Sequence, residues 1–502
     1  MLWNDVIYVL LLLLSIAFGP FYCKIRGIRT KQWVATLFGF ALVVCVSGLA
    51  VLHPIVTVLI NAVIITSLSW NCHKRSYNCY MYIQFQFYTL EHIWKCTRFD
   101  AFPVLLHSRL KCHLISLYFS FFYLLVIFRL GDYIGLPSPP THTNLVVMIL
   151  TLKLPGLAFE INSAATAPAD DVQGANSDAL KKINFMDVIH YSFGYMGVLT
   201  GPYYRYRTYW DSLHRPFSNY VDPWPLTYYK LKQITVFIVL FLVINYLFPS
   251  DYTQTVTFEE HYFLYRFFYM YPAFAGFRLR MFIGMALAEC VCQMSGLGAY
   301  PICCQPTPGL GPRDYKMIEK LSLDHERMKK EKQDFETVHN MNVWEVELSP
   351  FVRHTMKMWN TCIQYWMAVC IYKRFPHKGL RTIATMTLSA LWHGYAAGYY
   401  FCICQVPFYL PFEDICIKFY NQCEENEFGR KAWRFFLWWA KLTCMAYLGV
   451  PFQLLRFQEI IHFYKSLYFS GHILGLVAYL VLRILKTRFL KQYQTEEHKQ
   501  KK

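Results

Sequence analysis

Charged residues are scarce in this sequence. Only 16% of its 502 residues are Asp, Glu, Lys or Arg, against about a quarter in ordinary soluble domains. Hydrophobic residues make up 55% of the chain and aromatic residues 18%. A water-soluble fold cannot bury so much apolar surface, and this composition therefore predicts an integral membrane protein.

Paired cysteine spacings and internal repeats are also missing. The 17 cysteines form no C-x-x-C pair, so the usual zinc and redox spacings are absent and we expect buried thiols and no metal site. Without evident repeats, a transporter built from paired halves is disfavoured. The net charge of +17 comes from 49 basic and 32 acidic residues. The basic residues are dispersed at the ends of apolar runs, which favours anionic lipid headgroups over nucleic acid as partners.

Long apolar runs recur along the whole chain. A membrane-spanning helix needs about 20 mostly apolar residues, and the runs predict an all-α, polytopic protein of about eleven transmembrane helices. Residues 80–106 are of mixed character and are expected to be re-entrant or interfacial. The candidate cores are Ile7–Tyr22, Trp33–Leu52, Ile55–Trp70, His113–Leu130, Leu145–Phe159, Val188–Val198, Ile234–Phe248, Tyr262–Ala288, Met356–Tyr372, Ile383–Val406, Phe435–Phe452 and Leu467–Leu485.

Basic residues beside the apolar runs predict the orientation. Asp5 precedes the first run and basic residues follow it, which favours a retained span over a cleaved signal peptide. Cytoplasmic loops carry excess Lys and Arg, so residues 24–31 and the basic tail 486–502 are expected to be cytosolic. The N-terminus is then lumenal, and the number of spans is odd.

Two polar segments interrupt the single transmembrane domain expected over residues 1–502. Residues 163–182 are rich in Ala, Asp and Ser, which predicts a flexible loop. Residues 305–340 contain three early prolines and then mixed charges, with seven basic and five acidic residues between Arg313 and Lys332. This pattern predicts an exposed, charged cytosolic insert.

His393 is a titratable residue inside a long apolar run. Ionisable groups are costly there, which makes each one a candidate functional residue. Ser389 lies one helical turn earlier, and Ala390, Gly394 and Gly398 predict a small-residue face for close helix packing. A neutral imidazole in this position could act as a general base. A packed histidine that bonds a neighbouring helix is the alternative reading.

Asn360 and Gln364 lie one apolar run earlier, in the sequence Trp359-Asn360-Thr-Cys-Ile-Gln364. Their spacing of four predicts two amides on one helical face. They could polarise a carbonyl, or simply make an interhelical hydrogen bond. A polar turn at residues 373–379 joins the two runs, so antiparallel helices would bring Asn360 and His393 to comparable depth.

The Trp-Asn pair followed one span later by Leu391-Trp-His-Gly394 resembles the membrane-bound O-acyltransferase (MBOAT) family. This resemblance implies that Asn360 and His393 are the catalytic pair, with acyl-CoA as co-substrate and no cofactor. Trp359, Gln364, Ser389 and Trp392 are then expected to bind substrate. The lysophosphatidylinositol acyltransferase branch of the family is resembled in five stretches: residues 150–154, 200–209, 288–290, 298–301 and 398–400. This resemblance implies a lysophospholipid acceptor, most specifically lysophosphatidylinositol, and a location in the membrane of the endoplasmic reticulum.

Arg205 and Arg207 lie among aromatic residues in the stretch 200–209. They have two interpretations: positive residues flanking a span, or ligands for a phosphate of acyl-CoA or of an inositol lipid.

For the whole chain, the alternatives are an MBOAT enzyme with another acceptor (another lysolipid, a sterol or a protein) and a transporter in which His393 gates protons. The lack of a second ionisable residue in the His393 run disfavours the transporter.

Overall fold

The computed structural model describes residues 3–68, 112–131, 135, 139–166, 180, 183–215, 217–422 and 427–500. Over these residues the protein is mostly helical, as the sequence predicts. The chain divides into two compact units. Unit 1 comprises residues 1–230 and 287–339, and unit 2 comprises residues 231–286 and 340–502. The chain therefore passes between the units three times.

Unit 1 is built from helices and two small sheets. Helix α6 begins at a capping box in which Asn184 and Asp187 exchange side-chain and backbone hydrogen bonds. The antiparallel pairs are β1 with β4 and β2 with β3. The elements are α1 (Trp3–Lys24), α2 (Ile28–Ser47), α3 (Leu52–Ser67), α4 (Cys112–Phe122), α5 (Thr141–Thr166), α6 (Phe185–Phe193), α7 (Tyr206–His214), β1 (Tyr300–Pro301), β2 (Pro306–Thr307), β3 (Gly311–Pro312), α11 (Tyr315–Leu323), α12 (His325–Lys330) and β4 (Gln333–Asp334).

Helix α5 is the centre of unit 1. Of its most apolar stretch of 18 residues, 89% is buried, because α2, α3, α4 and α6 all pack against this helix. The charged stretch 305–340, expected to be an exposed insert, contains β2, β3 and β4 and helices α11 and α12. It buries Ile318, Leu321 and Met328. The expected flexible loop at 163–182 begins inside α5, and its residues 167–179, 181 and 182 lie outside the described part of the chain.

Two long helices carry the chain across the unit boundaries. These are α8 (Trp224–Leu247) and α10 (Phe263–Met294). The rest of unit 2 consists of α9 (Val256–Glu260), α13 (Val343–Leu348), α14 (Val352–Met358), α15 (Thr361–Trp366), α16 (Arg381–His393), α17 (Ala397–Ile403), α18 (Val406–Gln422), α19 (Glu427–Leu454), α20 (Phe457–Ser466) and α21 (Ser470–Gln500). A π-helical segment, Met367–Tyr372, continues α15.

Five helical segments of the described chain are long and apolar enough to cross a membrane, or six if the bent pair α20–α21 is one span. In the segment Trp224–Gln254, which contains α8, only 6% of the most apolar stretch is buried. Its apolar side chains therefore face outward, as expected for a lipid-facing helix. Eleven spans are not confirmed over the described residues, where several expected cores are short or broken. The run 188–198 contains the end of the nine-residue α6, and the runs 356–372 and 383–406 break at Asn360 and after His393. The segment 80–106 lies outside the described residues.

Candidate active site

Asn360 occupies a break between two short helices. Helix α14 ends at Met358, α15 begins at Thr361, and Asn360 between them has φ 52° and ψ 51°. This left-handed conformation is unfavourable for most side chains, but asparagine adopts it more readily than other residues. Such backbone strain is found preferentially at functional sites, where the surrounding structure maintains it.

Two backbone hydrogen bonds hold this turn on either side of Asn360. The Asn342 N–H donates to the Met358 carbonyl at 3.2 Å, and the Thr361 N–H donates to the Asn340 carbonyl at 2.8 Å. The segment 340–342 therefore fixes the backbone immediately before and after the strained residue.

Gln364 supports the same turn. Its backbone N–H donates to the Asn360 carbonyl at 3.0 Å, and its side-chain Nε2 donates to the Met356 carbonyl in the preceding helix. The expectation that Asn360 and Gln364 share one face of a continuous helix is wrong, because the helix breaks at Asn360. The Gln364 amide joins the two helices across the break.

The carbonyl oxygen of the Asn360 side chain has no hydrogen-bond donor among the described residues. This atom, Oδ1, is buried. Buried polar atoms nearly always have a partner, so this oxygen is suited to accept a hydrogen bond from a bound molecule. The neighbouring Trp359 is half-buried and packs against the Phe282 ring, with centroids 5.9 Å apart.

His393 is the last residue of α16. Gly394 follows it with φ 146°, a value that favours glycine, and its N–H donates to the Ala390 carbonyl to close the helix. The half-buried imidazole thus lies at the end of the helix that carries partial negative charge.

Aromatic rings surround the His393 imidazole. The ring centroids of Trp392, Tyr399 and Phe452 lie 4.9, 5.6 and 5.2 Å away. Tyr399 and Phe452 also contact each other at 4.9 Å. Three aromatic side chains therefore pack around the half-buried imidazole. Sequence reasoning missed Phe452, because it lies far along the chain in α19 and belongs to no local motif.

Asn360 and His393 lie at the same end of two neighbouring helices. The π-helical continuation of α15 packs against α16, and a short turn joins the two, so they run antiparallel. Asn360 precedes the first residue of one and His393 is the last residue of the other. The six residues of α15 and six π-helical residues are close in number to the 13 residues of α16, and these similar lengths predict a comparable depth for both side chains.

The small-residue face expected over Ala390, Gly394 and Gly398 is not continuous, because the helix ends between the first two. Ser389 remains on α16, one turn before His393, and is half-buried. Gly398 belongs to α17, where an added Cβ would lie 2.0 Å from the Pro451 carbonyl oxygen. Close helix packing therefore depends on Gly398, against α19.

Arg205 and Arg207 lie in unit 1, whereas Asn360 and His393 lie in unit 2. Arg205 Nε forms an ion pair with Glu160 Oε2 at 3.2 Å, and Arg207 Nε forms one with Asp211 Oδ1 at 3.1 Å. Arg207 is only 3% exposed. Both guanidinium groups thus face carboxylates of the protein itself, and their role in phosphate binding stays a prediction.

The described residues contain no group of three or more His, Cys, Asp or Glu side chains that could hold a metal ion. The chemistry available at Asn360 and His393 is that of an amide and an imidazole: hydrogen bonding, stabilisation of charge and proton transfer.

Known proteins match this chain over most of its length. The family model of the membrane-bound O-acyltransferase family matches residues 69–458. The membrane-bound acylglycerophosphatidylinositol O-acyltransferase frj of Drosophila melanogaster is 37% identical over 489 residues, covering 94% of this chain and 90% of that protein. The membrane-bound acylglycerophosphatidylinositol O-acyltransferase MBOAT7 of Homo sapiens is 31% identical over 490 residues, covering 94% and 92%. The helix break at Asn360 and the helix end at His393 lie within the matched region, and the chain belongs to the membrane-bound O-acyltransferase family.

Proposed function

We propose that this protein transfers an acyl chain from acyl-CoA to the free hydroxyl of a lysophospholipid, with lysophosphatidylinositol as the preferred acceptor. The observation that carries the proposal is the similarity, over 94% of the chain, to relatives named as acylglycerophosphatidylinositol acyltransferases. The arrangement of Asn360 and His393 supplies the chemistry that such a transfer needs.

His393 is the general base of this reaction. Its imidazole accepts the proton of the lysolipid hydroxyl while the oxygen attacks the thioester carbonyl of acyl-CoA. The new ester C–O bond forms, the C–S bond breaks, and the departing CoA sulfur takes the proton from the imidazolium. The carboxyl end of α16 stabilises the imidazolium during the step.

Asn360 positions the reacting groups. Its amide can donate a hydrogen bond to the oxygen that gains negative charge at the thioester carbonyl, and its buried Oδ1 can accept one from the substrate. The left-handed turn holds the amide in place before substrate binds, so little reorganisation accompanies the reaction. Trp359, Gln364, Ser389 and Trp392, which lie close to these two residues along the chain, are proposed to contribute to substrate binding.

Acyl-CoA is a co-substrate in this scheme, and the reaction needs neither a cofactor nor a covalent acyl-enzyme. Two substrates held together in one chamber can react directly. CoA enters from the cytosol, and the lysolipid and acyl chain enter from the membrane.

The proposed setting is the endoplasmic reticulum, with about eleven spans, a lumenal N-terminus and a cytosolic C-terminus. The basic residues at 24–31 and 486–502 support this orientation. Epitope tags at the two ends, probed after selective permeabilisation of the plasma membrane, test it. Only the C-terminal tag should be accessible, and equal access to both tags would contradict the odd number of spans.

A competition assay tests the function. Purified protein receives equimolar lysophosphatidylinositol, lysophosphatidylcholine and lysophosphatidylethanolamine with one radiolabelled acyl-CoA. Phosphatidylinositol should dominate the products, and the His393→Ala variant should lower turnover by about a hundredfold to ten-thousandfold with unchanged thermal stability. Preferential formation of phosphatidylcholine would reject the acceptor but keep the acyl transfer, and an active His393→Ala variant would reject the general base.

A further inference from the structure

Helix α10 contacts the neighbours of both catalytic residues. Phe277 packs against Phe452, with centroids 5.2 Å apart, and Phe452 in turn packs against the His393 ring. Phe282 packs against Trp359, the residue before Asn360. Arg278 follows Phe277 directly and lies one helical turn before Phe282, so it emerges between these two contacts.

Arg278 has one guanidinium nitrogen that the protein does not use. The guanidinium group forms a bidentate ion pair with Glu347: Nε donates to Oε1 at 2.7 Å and Nη2 donates to Oε2 at 3.3 Å. Nη1 is buried, and among the described residues no acceptor reaches it. The side chain is 9% exposed, and its guanidinium carbon lies 4.9 Å from the centroid of the Phe274 ring.

Lys441 adds a second buried cation beside Arg278. It is 2% exposed, and its Nζ donates to the Val346 and Glu347 carbonyls at 3.1 and 2.9 Å. These carbonyls belong to the last turn of α13, where a cation is favoured. Lys441 lies close enough to interact electrostatically with both Glu347 and Arg278.

The charges of this cluster do not cancel. When Lys441 is protonated, Arg278 and Lys441 carry two positive charges and Glu347 carries one negative charge. Buried charge without a counter-charge is costly, and a cluster with an excess cation is stabilised by a bound anion. A guanidinium presents N–H donors in a geometry that suits phosphate oxygens.

We propose that Arg278 binds a phosphate group of a substrate through Nη1, with Lys441 contributing positive charge. The proposal rests on the acyl-transfer function, because both substrates of that reaction carry phosphate. The lysolipid has a phosphodiester next to the glycerol that is acylated, and CoA has a pyrophosphate and a ribose phosphate. Arg278 fixes one of these groups while the reacting atoms meet at Asn360 and His393.

Three variants test the proposal: Arg278→Gln, Arg278→Lys and Glu347→Gln. Arg278→Gln should raise the KM of one substrate by about tenfold or more, because a hydrogen bond to a charged group is lost. Arg278→Lys keeps the charge but loses the planar donors, and its KM should lie between those of Arg278→Gln and the wild type. Arg280→Gln is the matched control, because it removes an exposed arginine from the same helix, and it should change neither KM.

Glu347→Gln separates binding from stability. If Arg278 serves only to pair with Glu347, removal of either partner should have the same effect on both KM and the melting temperature. If Arg278 binds phosphate, removal of the competing carboxylate should lower that KM or leave it unchanged. Should Arg278→Gln fail to fold, the Arg278→Lys and Glu347→Gln variants still give opposite expectations.

The rise in KM identifies the source of the phosphate. A higher KM for the lysolipid alone assigns its phosphodiester, and a higher KM for acyl-CoA alone assigns CoA. Free CoA, used as an inhibitor, should bind the Arg278→Gln variant more weakly than the wild type only if Arg278 contacts CoA. Unchanged KM values for both substrates in a folded Arg278→Gln protein would overturn the proposal. The assay uses whichever lysophospholipid the enzyme turns over, so an error in the headgroup assignment would not be mistaken for an error about Arg278.

Discussion

The two units differ in the partners of their buried charged side chains. In unit 1, three buried carboxylates each face a cation; the pairs are Glu160–Arg205, Asp211–Arg207 and Glu289–Lys230. In unit 2, the buried Glu413 accepts backbone N–H groups at the start of α14, while Arg278 and Lys441 outnumber the carboxylate between them. Each of these three unit 1 carboxylates is therefore paired with a cation, whereas the cluster of Arg278, Lys441 and Glu347 in unit 2 has more cations than carboxylates.

This difference separates variants that should lose activity from variants that should lose stability. A buried ion pair is weak evidence for net stabilisation, but removal of one partner leaves an uncompensated charge. The Asn360 Oδ1 has no partner among the described residues, so removal of this amide leaves no buried charge behind. Removal of the Asn360 side chain should therefore affect turnover, and substitutions at the ion pairs of unit 1 should affect folding.

Among the variants that compare the two units, the largest effect is expected for Asn360→Gly. Glycine takes the left-handed conformation of residue 360 without strain, so the turn should survive while the amide is lost. We expect kcat to fall by about a hundredfold to a thousandfold, the loss typical of one donor to a developing charge. The melting temperature should be unchanged.

Asn360→Ala is the matched control for the backbone. It removes the same amide but also places a side chain in the left-handed region, at a cost of about 1–2 kcal/mol. Its kcat should resemble that of Asn360→Gly, and its melting temperature should be lower. A glycine variant with at least a tenth of the wild-type turnover would show that the amide has no catalytic role.

A smaller effect, on stability, is expected for Arg205→Gln in unit 1. Glu160 is 6% exposed and would lose its cation, although it keeps the N–H groups of Tyr206 and Arg207. Breaking a buried ion pair costs about 3 kcal/mol, so the melting temperature in detergent should fall. The Glu160→Gln/Arg205→Gln double variant should recover part of the loss. If KM for the lysolipid rises instead and stability is unchanged, Arg205 binds substrate phosphate.

The smallest expected effect is a pH dependence at His339. Burial alone would lower the pKa of His339, but the hydrogen bond to Glu289 and its negative charge raise the pKa above its ordinary value. A raised pKa in the folded state stabilises the protein fully below about pH 6.5, and this contribution is lost as the pH rises through the raised pKa. The melting temperature should fall between pH 6 and pH 8.5 by more in the wild type than in His339→Gln. Equal slopes for the two proteins would contradict the pairing.

Sequence patterns were sufficient for some features of the site. Apolar runs predicted a helical membrane protein, as found, whereas the comparable depth expected from the spacing of Asn360 and His393 stays a prediction. Both inferences depend on local periodicity, which the chain carries within each run. The family assignment followed from the same two motifs and is confirmed.

The helix break at Asn360 could not be predicted, because residues outside its own run determine it. The Asn342 N–H donates a hydrogen bond on one side of this turn and the Asn340 carbonyl accepts one on the other, and the run shows no proline or glycine at that point. The end of α16 does have a local signal, because Gly394 directly follows His393. Arg205, in contrast, has the flanking pattern of an interfacial residue, but Glu160 in α5 pairs with it. Tertiary contacts of this kind override local preference.

The interleaved order of the two units has a consequence for biosynthesis. Residues 231–286 belong to unit 2 but leave the ribosome before residues 340–502, with which they form that unit. At roughly 5–20 residues per second, several seconds pass before α13 follows, and the apolar faces of α8 and α10 must meanwhile be covered by lipid or by the insertion machinery. Unit 1 is likewise incomplete until residue 339 is made. Neither unit can be obtained as one continuous fragment, so truncation after residue 230 removes β1–β4 from unit 1 together with all of unit 2.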